Sequence, residues 1–220
     1  MKDSKTIALF SFFFLIVFAF ISLTTSFTGE YSSGLQVFLD ETLIQFFLNS
    51  RNIFVSIIAK DLTSLGSLTV TFVILMLIST ALFKFKKTKE SIFLLAVWAG
   101  CAVIPWVSKL IFGRARPLEE DRLIIVHDLS FPSGHSFVAA AVFIALSYLY
   151  YRVLNKAEGS LTKFILMGFS LASVVGLSRI YLGVHYTTDI VAGLALGSFW
   201  TLAVALFFES RVFPKNKDAI

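Results

Sequence analysis

The sequence predicts an all-α integral membrane protein: six transmembrane helices in a single domain over residues 1–220, with an interfacial amphipathic segment between the first helix and the second. Three observations carry this reading. Hydrophobic residues make up 57% of the chain and charged residues only 15%, with 25 phenylalanines among 220 residues, and the mean hydropathy is +0.83; soluble domains are less apolar and more charged. Six apolar runs approach the roughly 20 residues that cross a bilayer. The charges lie between those runs and are divided unequally between alternate connections.

The elements follow in order. A short basic start precedes the first span, residues 7–23. Its apolar stretch exceeds that of a cleavable leader and no small-residue cleavage site follows, so it reads as a retained span. From Gly34 to Lys60, Leu35, Phe38, Leu39, Leu43 and Phe46 recur at helical spacing opposite Gln36, Asp40, Glu41 and Gln45. This pattern predicts one or two helices lying at the membrane interface, broken near residues 49–52. The second span is 62–83, followed by a compact basic loop. The third, 92–112, contains Pro105, which predicts a kink. A polar loop over 113–131 leads to the fourth span, 134–151, and short connections join it to the fifth, 161–181, and the sixth, 190–208.

Orientation follows from counting. With the N-terminus cytoplasmic, the inner segments hold Lys2, Lys5, Lys84, Lys86, Lys87, Lys89, Arg152, Lys156, Lys163, Arg211, Lys215 and Lys217, which is twelve of the nineteen basic residues. The positive-inside rule favours this choice, a plasma-membrane protein with both termini cytoplasmic. The pI near 9.4 therefore marks topology; no soluble basic, aromatic-studded region is present to hold nucleic acid. Cys101 is the single cysteine, which excludes an intrachain disulfide. Gly193 with Gly197, and Ala172 with Gly176, are small residues at helical spacing. They fit a dimer face or close packing inside the bundle, and packing is the commoner use. No feature sets an oligomeric state.

Three polar clusters stand at the outer ends of the spans. Lys109 and Arg116, followed by Pro117, are seven residues apart, about two turns if the helix continues that far. They offer a movable point charge and a planar fork for phosphate oxygens. Pro132-Ser133-Gly134-His135 interrupts an apolar sequence at the mouth of a helix. Ser133 can cap that helix, Gly134 admits close backbone approach, and the first-turn amides suit an anion. His135 is placed to exchange a proton with a bound group. Ser178-Arg179 is followed by His185 and Asp189, a third cation and an imidazole whose tautomer a carboxylate four residues on can fix, whether by a helical turn or a tighter one. Glu119, Glu120 and Asp121 neighbour these clusters but read as solvated, since cationic surroundings repel a divalent ion; no metal or cofactor is expected. His127 reads as a surface residue.

The three clusters resemble the tripartite signature of the type-2 phosphatidic acid phosphatase superfamily, K-x6-R-P, P-S-G-H and S-R-x5-H-x3-D, with all eleven fixed positions present. The resemblance implies a metal-independent membrane lipid phosphatase. His185 would attack phosphorus to form a phosphohistidine, Asp189 would orient it, and His135 would protonate the leaving oxygen and then activate water. Lys109, Arg116, Arg179, the Ser133 hydroxyl and the Gly134 amide would hold the phosphoryl oxygens, and Pro117, Pro132 and Ser178 would shape the backbone. It implies a lipid substrate reached from the bilayer at an outward-facing site: undecaprenyl diphosphate or phosphatidylglycerophosphate first, then phosphatidic acid or diacylglycerol pyrophosphate. Vanadate haloperoxidases share the constellation but are soluble. A phosphotransferase using the same intermediate is an alternative, as is a lipid-phosphate binding or translocating protein without turnover. A pure binder has no use for two histidines and an orienting aspartate.

Overall fold

A computed structural model of the chain describes residues 2–26, 34–154 and 160–213; Lys156, Lys215 and Lys217, counted above for orientation, lie outside them. Eight α-helices account for most of these residues and no strand is present among them: α1 Lys2–Ser26, α2 Gly34–Asn49, α3 Ile53–Ser64, α4 Leu68–Lys84, α5 Thr88–Phe112, α6 Gly134–Leu154, α7 Leu161–Tyr181 and α8 Thr187–Arg211. Five of them, α1 and α5 to α8, are long and apolar enough to cross a membrane, and α3 with α4 make a sixth if their bent pair is counted as one span. Their outward faces carry Leu9, Phe12, Phe20, Phe54, Leu77 and Ile111, each more than half exposed. An apolar belt of this extent is a surface for lipid rather than water.

The helix expected from residue 62 begins instead at Leu68. Residues 62–64 complete α3, and the chain turns by 53° before α4 starts. Two local features make the break. Ser67 caps α4, its Oγ accepting from Val70 N at 3.2 Å. At Gly66 a Cβ would stand 2.7 Å from the carbonyl oxygen of His135, so only glycine lets this elbow rest on the start of α6. The break between α2 and α3 falls at residues 50–52, where Asn52 Oδ1 accepts from Val55 N at 2.9 Å.

Helix α6 is the centre, with α5, α7 and α8 packed around it; α1 lies on α8, α4 on α5, α3 on α7, and α2 on both α7 and α8. Phe137, Ala139, Ala140, Ala141, Ile144 and Ala145 on α6 are fully buried, and the four alanines let the helices approach closely. The glycine pair of α8 faces inward at this contact. A Cβ on Gly197 would meet Phe137 O at 2.3 Å, and one on Gly193 would meet Ser133 O at 2.5 Å. These two glycines thus pack α8 against the first turn of α6 instead of forming an outer face. Hydrogen bonds add to the packing, from Thr201 Oγ1 to Ala141 O (2.8 Å) and from Trp200 Nε1 to Val97 O (3.0 Å). Arg152 and Glu209 pair at the far end of α6 and α8, so the starts of α6 and α8 share the opposite end, and the end of α5 joins them there, with the Phe112 ring 4.8 Å from that of Phe131.

Candidate active site

The three clusters meet at that end. Helix α5 stops at Phe112, and Gly113 closes it in the left-handed region at φ 62°, so Lys109 and Arg116 do not share a helix face as a continued helix would place them. The loop brings them together differently. Both reach Asp128, Lys109 Nζ to Oδ2 at 2.5 Å and Arg116 Nη2 to Oδ1 at 2.6 Å, and Lys109 also donates to Leu129 O. Burial would raise the Asp128 pKa, but hydrogen bonds and charge from Lys109 and Arg116 outweigh it and hold the carboxyl below the usual carboxylate range.

The loop is pinned on both sides. Pro117 O accepts from Arg122 Nε at 2.9 Å, and Ser130 N donates to Arg114 O at 2.8 Å. Arg51 Nη2 donates to Asp121 O at 2.6 Å and Tyr181 O at 3.0 Å. Gly183, inside the Arg179 to His185 interval, has φ +72°, and a Cβ there would stand 2.2 Å from Asp121 O. Glu119 and Glu120 are exposed on a short 3-10 turn, Glu119–Asp121, and His127 is exposed too. Among the described residues no group of three or more His, Cys, Asp or Glu converges as a metal site would require.

Helix α8 begins after His185. Asp189 occupies its first turn, where Oδ2 accepts from Tyr186 N at 2.9 Å and lies 3.3 Å from His185 Nδ1. The tighter-turn arrangement is therefore the one observed. The other ring nitrogen, Nε2, is 2.9 Å from Arg116 Nη1. A guanidinium can only donate, so Nε2 accepts and Nδ1 carries the proton toward Asp189. His185 is fully buried. Burial, then the charges of Arg116, Arg179 and Lys109, push its pKa well below 6.5, so the ring is neutral and its lone pair, on Nε2, is held by Arg116.

A cleft of about 280 Å³ joins these groups, lined by Lys109, Arg116, Asp128, Gly134, His135, Arg179 and His185. Arg179 is 2% exposed. Its Nη1 donates to Thr63 Oγ1 at 3.0 Å, while Nε has no protein acceptor among the described residues. A buried guanidinium donor beside two further cations calls for an anion. The remaining motif residues are structural neighbours. Ser133 is fully buried, its Oγ accepting from Ser136 N at 3.3 Å and its N donating to Asp189 O at 3.0 Å. Ser178 Oγ donates to Val175 O, and Pro132 is buried before α6.

Four contributors lie outside the motif positions. Ser130 Oγ donates to Asp189 Oδ2 and lies 3.3 Å from His185 Nδ1. Arg114 Nη1 donates to Asp189 Oδ1 at 2.6 Å, and Nη2 to Asp40 Oδ2 at 2.7 Å. Asp128 holds the two cations. A phosphoryl group entering the cleft has to share those cations with Asp128 or displace it. Asp128→Asn is therefore expected to tighten inhibition by orthovanadate severalfold, read from the inhibition constant; a weaker or unchanged constant would show that Asp128 aligns the cations instead.

The PAP2 superfamily model matches residues 90–213, more than half of the chain. Phosphatidylglycerophosphatase B of Bacillus subtilis (strain 168) is 28% identical over 179 residues, 80% of this chain and 84% of that protein. The undecaprenyl-diphosphatase of Sulfolobus acidocaldarius is 27% identical over 60% of this chain and 62% of its own length. The crystal structure of a transmembrane PAP2-type phosphatidylglycerolphosphate phosphatase from Bacillus subtilis superposes with a TM-score of 0.76 at 26% identity, covering 96% of this chain and 98% of the other.

Proposed function

Because the chain belongs to the PAP2 superfamily and is a multi-pass membrane lipid phosphatase, we propose that it cleaves the phosphomonoester or diphosphate of a membrane lipid through a phosphohistidine on His185. The observation that carries this is the neutral His185 whose Nε2 meets Arg116 Nη1 at 2.9 Å, in a cleft that Lys109 and Arg179 also line, a nucleophile inside a built anion site. In this reading His185 attacks phosphorus, and the cations with the Gly134 amide stabilise the equatorial oxygens. His135, in the cleft lining, gives a proton to the leaving oxygen and then takes one from the water that frees phosphate. Asp189 balances the charge on His185 as the bond forms. Ser133 supports the α6 start, with Pro117, Pro132 and Ser178 holding the backbone around it.

A lipid substrate fits the cleft. At about 280 Å³ it is small for a whole lipid and suited to a headgroup. Its lining runs from the cations past Pro105 and Cys101 to Leu68 and Trp106, which are 40% and 63% exposed at the α4–α5 seam. Acyl or prenyl tails leaving there remain in lipid. Phosphatidylglycerophosphate and undecaprenyl diphosphate are the favoured substrates, since proteins named for acting on them are similar to this chain. Cytoplasmic termini and an outward-facing site follow from the distribution of lysine and arginine.

The test is phosphate release by purified protein in EDTA from undecaprenyl diphosphate, phosphatidylglycerophosphate, phosphatidic acid and diacylglycerol pyrophosphate. Release is expected from at least one of the first two, undiminished by the chelator, and from substrate added outside right-side-out vesicles. Failure with all four lipids would sink the hydrolase reading, dependence on a divalent ion the metal-free mechanism, and release only after permeabilisation the orientation.

A further inference from the structure

Helix α2 carries a carboxylate that the reaction described so far does not use. Asp40 is completely buried, on an element that precedes the residues matched by the family model. Amphipathic spacing places it on a solvated face, yet the structure turns it inward. Its Oδ2 accepts from Arg114 Nη2 at 2.7 Å and from Thr188 Oγ1 at 2.9 Å, and its Oδ1 accepts from Thr188 N at 2.8 Å. Beside it, Thr187 Oγ1 donates to Leu39 O at 3.0 Å. Resting on the reading of His185 and Asp189 as nucleophile and orienter, we propose that Asp40 is a positioning residue for that pair, acting through Arg114 and through the first turn of α8.

Two routes lead from Asp40 to Asp189. Thr188 N is one of the orphan amides at the start of α8. Asp40 satisfies it from a different helix, and the negative charge suits the positive end of the helix dipole. Asp189 is the next residue, so the cap sets the position of its carboxylate. The second route is electrostatic. Arg114 lies between two buried carboxylates, Asp40 on Nη2 and Asp189 on Nη1 at 2.6 Å, with its guanidinium stacked on the Tyr186 ring at 4.2 Å. Burial alone would make Arg114 easier to deprotonate, but Asp189 and Asp40 outweigh it, so the bridge is a fixed cation. With Asp40 present that cation is shared. Without it, the whole charge falls on Asp189 and weakens the acceptor that His185 Nδ1–H needs. The phosphate-facing cations Lys109, Arg116 and Arg179 do not touch Asp40, so the effect belongs to turnover rather than to substrate affinity.

The experiment is a double-mutant cycle in the full-length protein, using whichever lipid of the four-lipid panel the wild type turns over fastest. Asp40→Asn is expected to lower kcat about tenfold, with KM and the orthovanadate inhibition constant within about twofold of wild type. In an Asp189→Asn background the same change should cost less than about twofold, because its path to His185 is already cut. A kcat within twofold of wild type, an undiminished tenfold loss in the Asp189→Asn background, or a loss seen only in KM and vanadate binding would each overturn the proposal. If Asp40→Asn does not fold, Asp40→Glu keeps a negative charge opposite Arg114 while moving the carboxylate relative to Thr188 N. Lowered kcat at unchanged KM supports the proposal there, and wild-type kcat refutes it. His185→Ala runs alongside. Turnover retained by that variant overturns the underlying nucleophile reading, and with it this one, whereas a dead His185→Ala beside a fully active Asp40→Asn overturns only the part given to Asp40.

Discussion

Replacing His185 with alanine is expected to reduce phosphate release by about 10⁴-fold or more while leaving orthovanadate binding within an order of magnitude of wild type. The two halves of the expectation rest on different atoms. Turnover depends on the Nε2 lone pair, which the imidazole alone supplies; Arg116 Nη1 at 2.9 Å marks where that lone pair points. Anion binding depends on Lys109, Arg116 and Arg179, and Arg179 Nε stands ready as a buried donor without a protein acceptor among the described residues. Alanine removes the first and leaves the second. Vanadate binding can be followed by displacement of labelled phosphate, and trapping of a radiolabelled enzyme should fail in the variant. Retention of labelling would move the nucleophile to another group in the cleft, with His135 the obvious one. Loss of vanadate binding would make His185 part of the anion site rather than the attacking group.

The fold and the cations and histidines that line the cleft were legible in the sequence for separate reasons. Helix positions follow from runs of apolar residues, and the clusters stand out because Lys109, His135, Arg179 and His185 are polar groups beside membrane spans, where each is costly unless used. What stayed hidden depends on tertiary contact. Asp40 lies on a face whose spacing matches a water-facing one, and only the docking of α2 on the start of α8 tells the two apart. Arg114 and Ser130 stand at unspecified positions of the motifs or just ahead of them, and a residue is recognisable there only by the group it reaches. Nothing in the sequence sets Asp128 apart from other carboxylates of a polar loop; its two ion pairs do. The elbow at residues 65–67 did carry a local sign, Gly66-Ser67 within an apolar run. Periodicity alone continues a helix through such a pair, because the contact that demands glycine is with His135 O, far away in sequence.

Arg116→Ala should damage the enzyme in two measurable ways and shift its pH dependence. The guanidinium touches His185 Nε2, Val184 O at 2.5 Å and the Asp128 carboxylate, so it serves both binding and charge stabilisation in the transition state. Loss of one such donor is expected to lower kcat by about 10²-fold to 10³-fold and to raise KM as well. The pH effect follows from charge. Arg116 is the foremost neighbour, after burial itself, holding the His185 pKa below 6.5, with Arg179, Lys109 and His135 behind it; Asp189 and Ser130 face the ring from the other side. Only neutral His185 can attack. In the wild type the ring stays neutral as the pH falls through 6.5, so the acid limb of kcat/KM that belongs to His185 lies below that value. Removing Arg116 lets the pKa climb back, the ring protonates at higher pH, and that limb moves up. Arg116→Lys separates the contributions, because lysine restores the charge without the planar fork: the acid limb should return toward its wild-type position while kcat remains depressed. An acid limb in Arg116→Ala that stays in place or moves to lower pH would show that Arg116 does not set the protonation of His185, leaving it the role of a phosphate ligand alone.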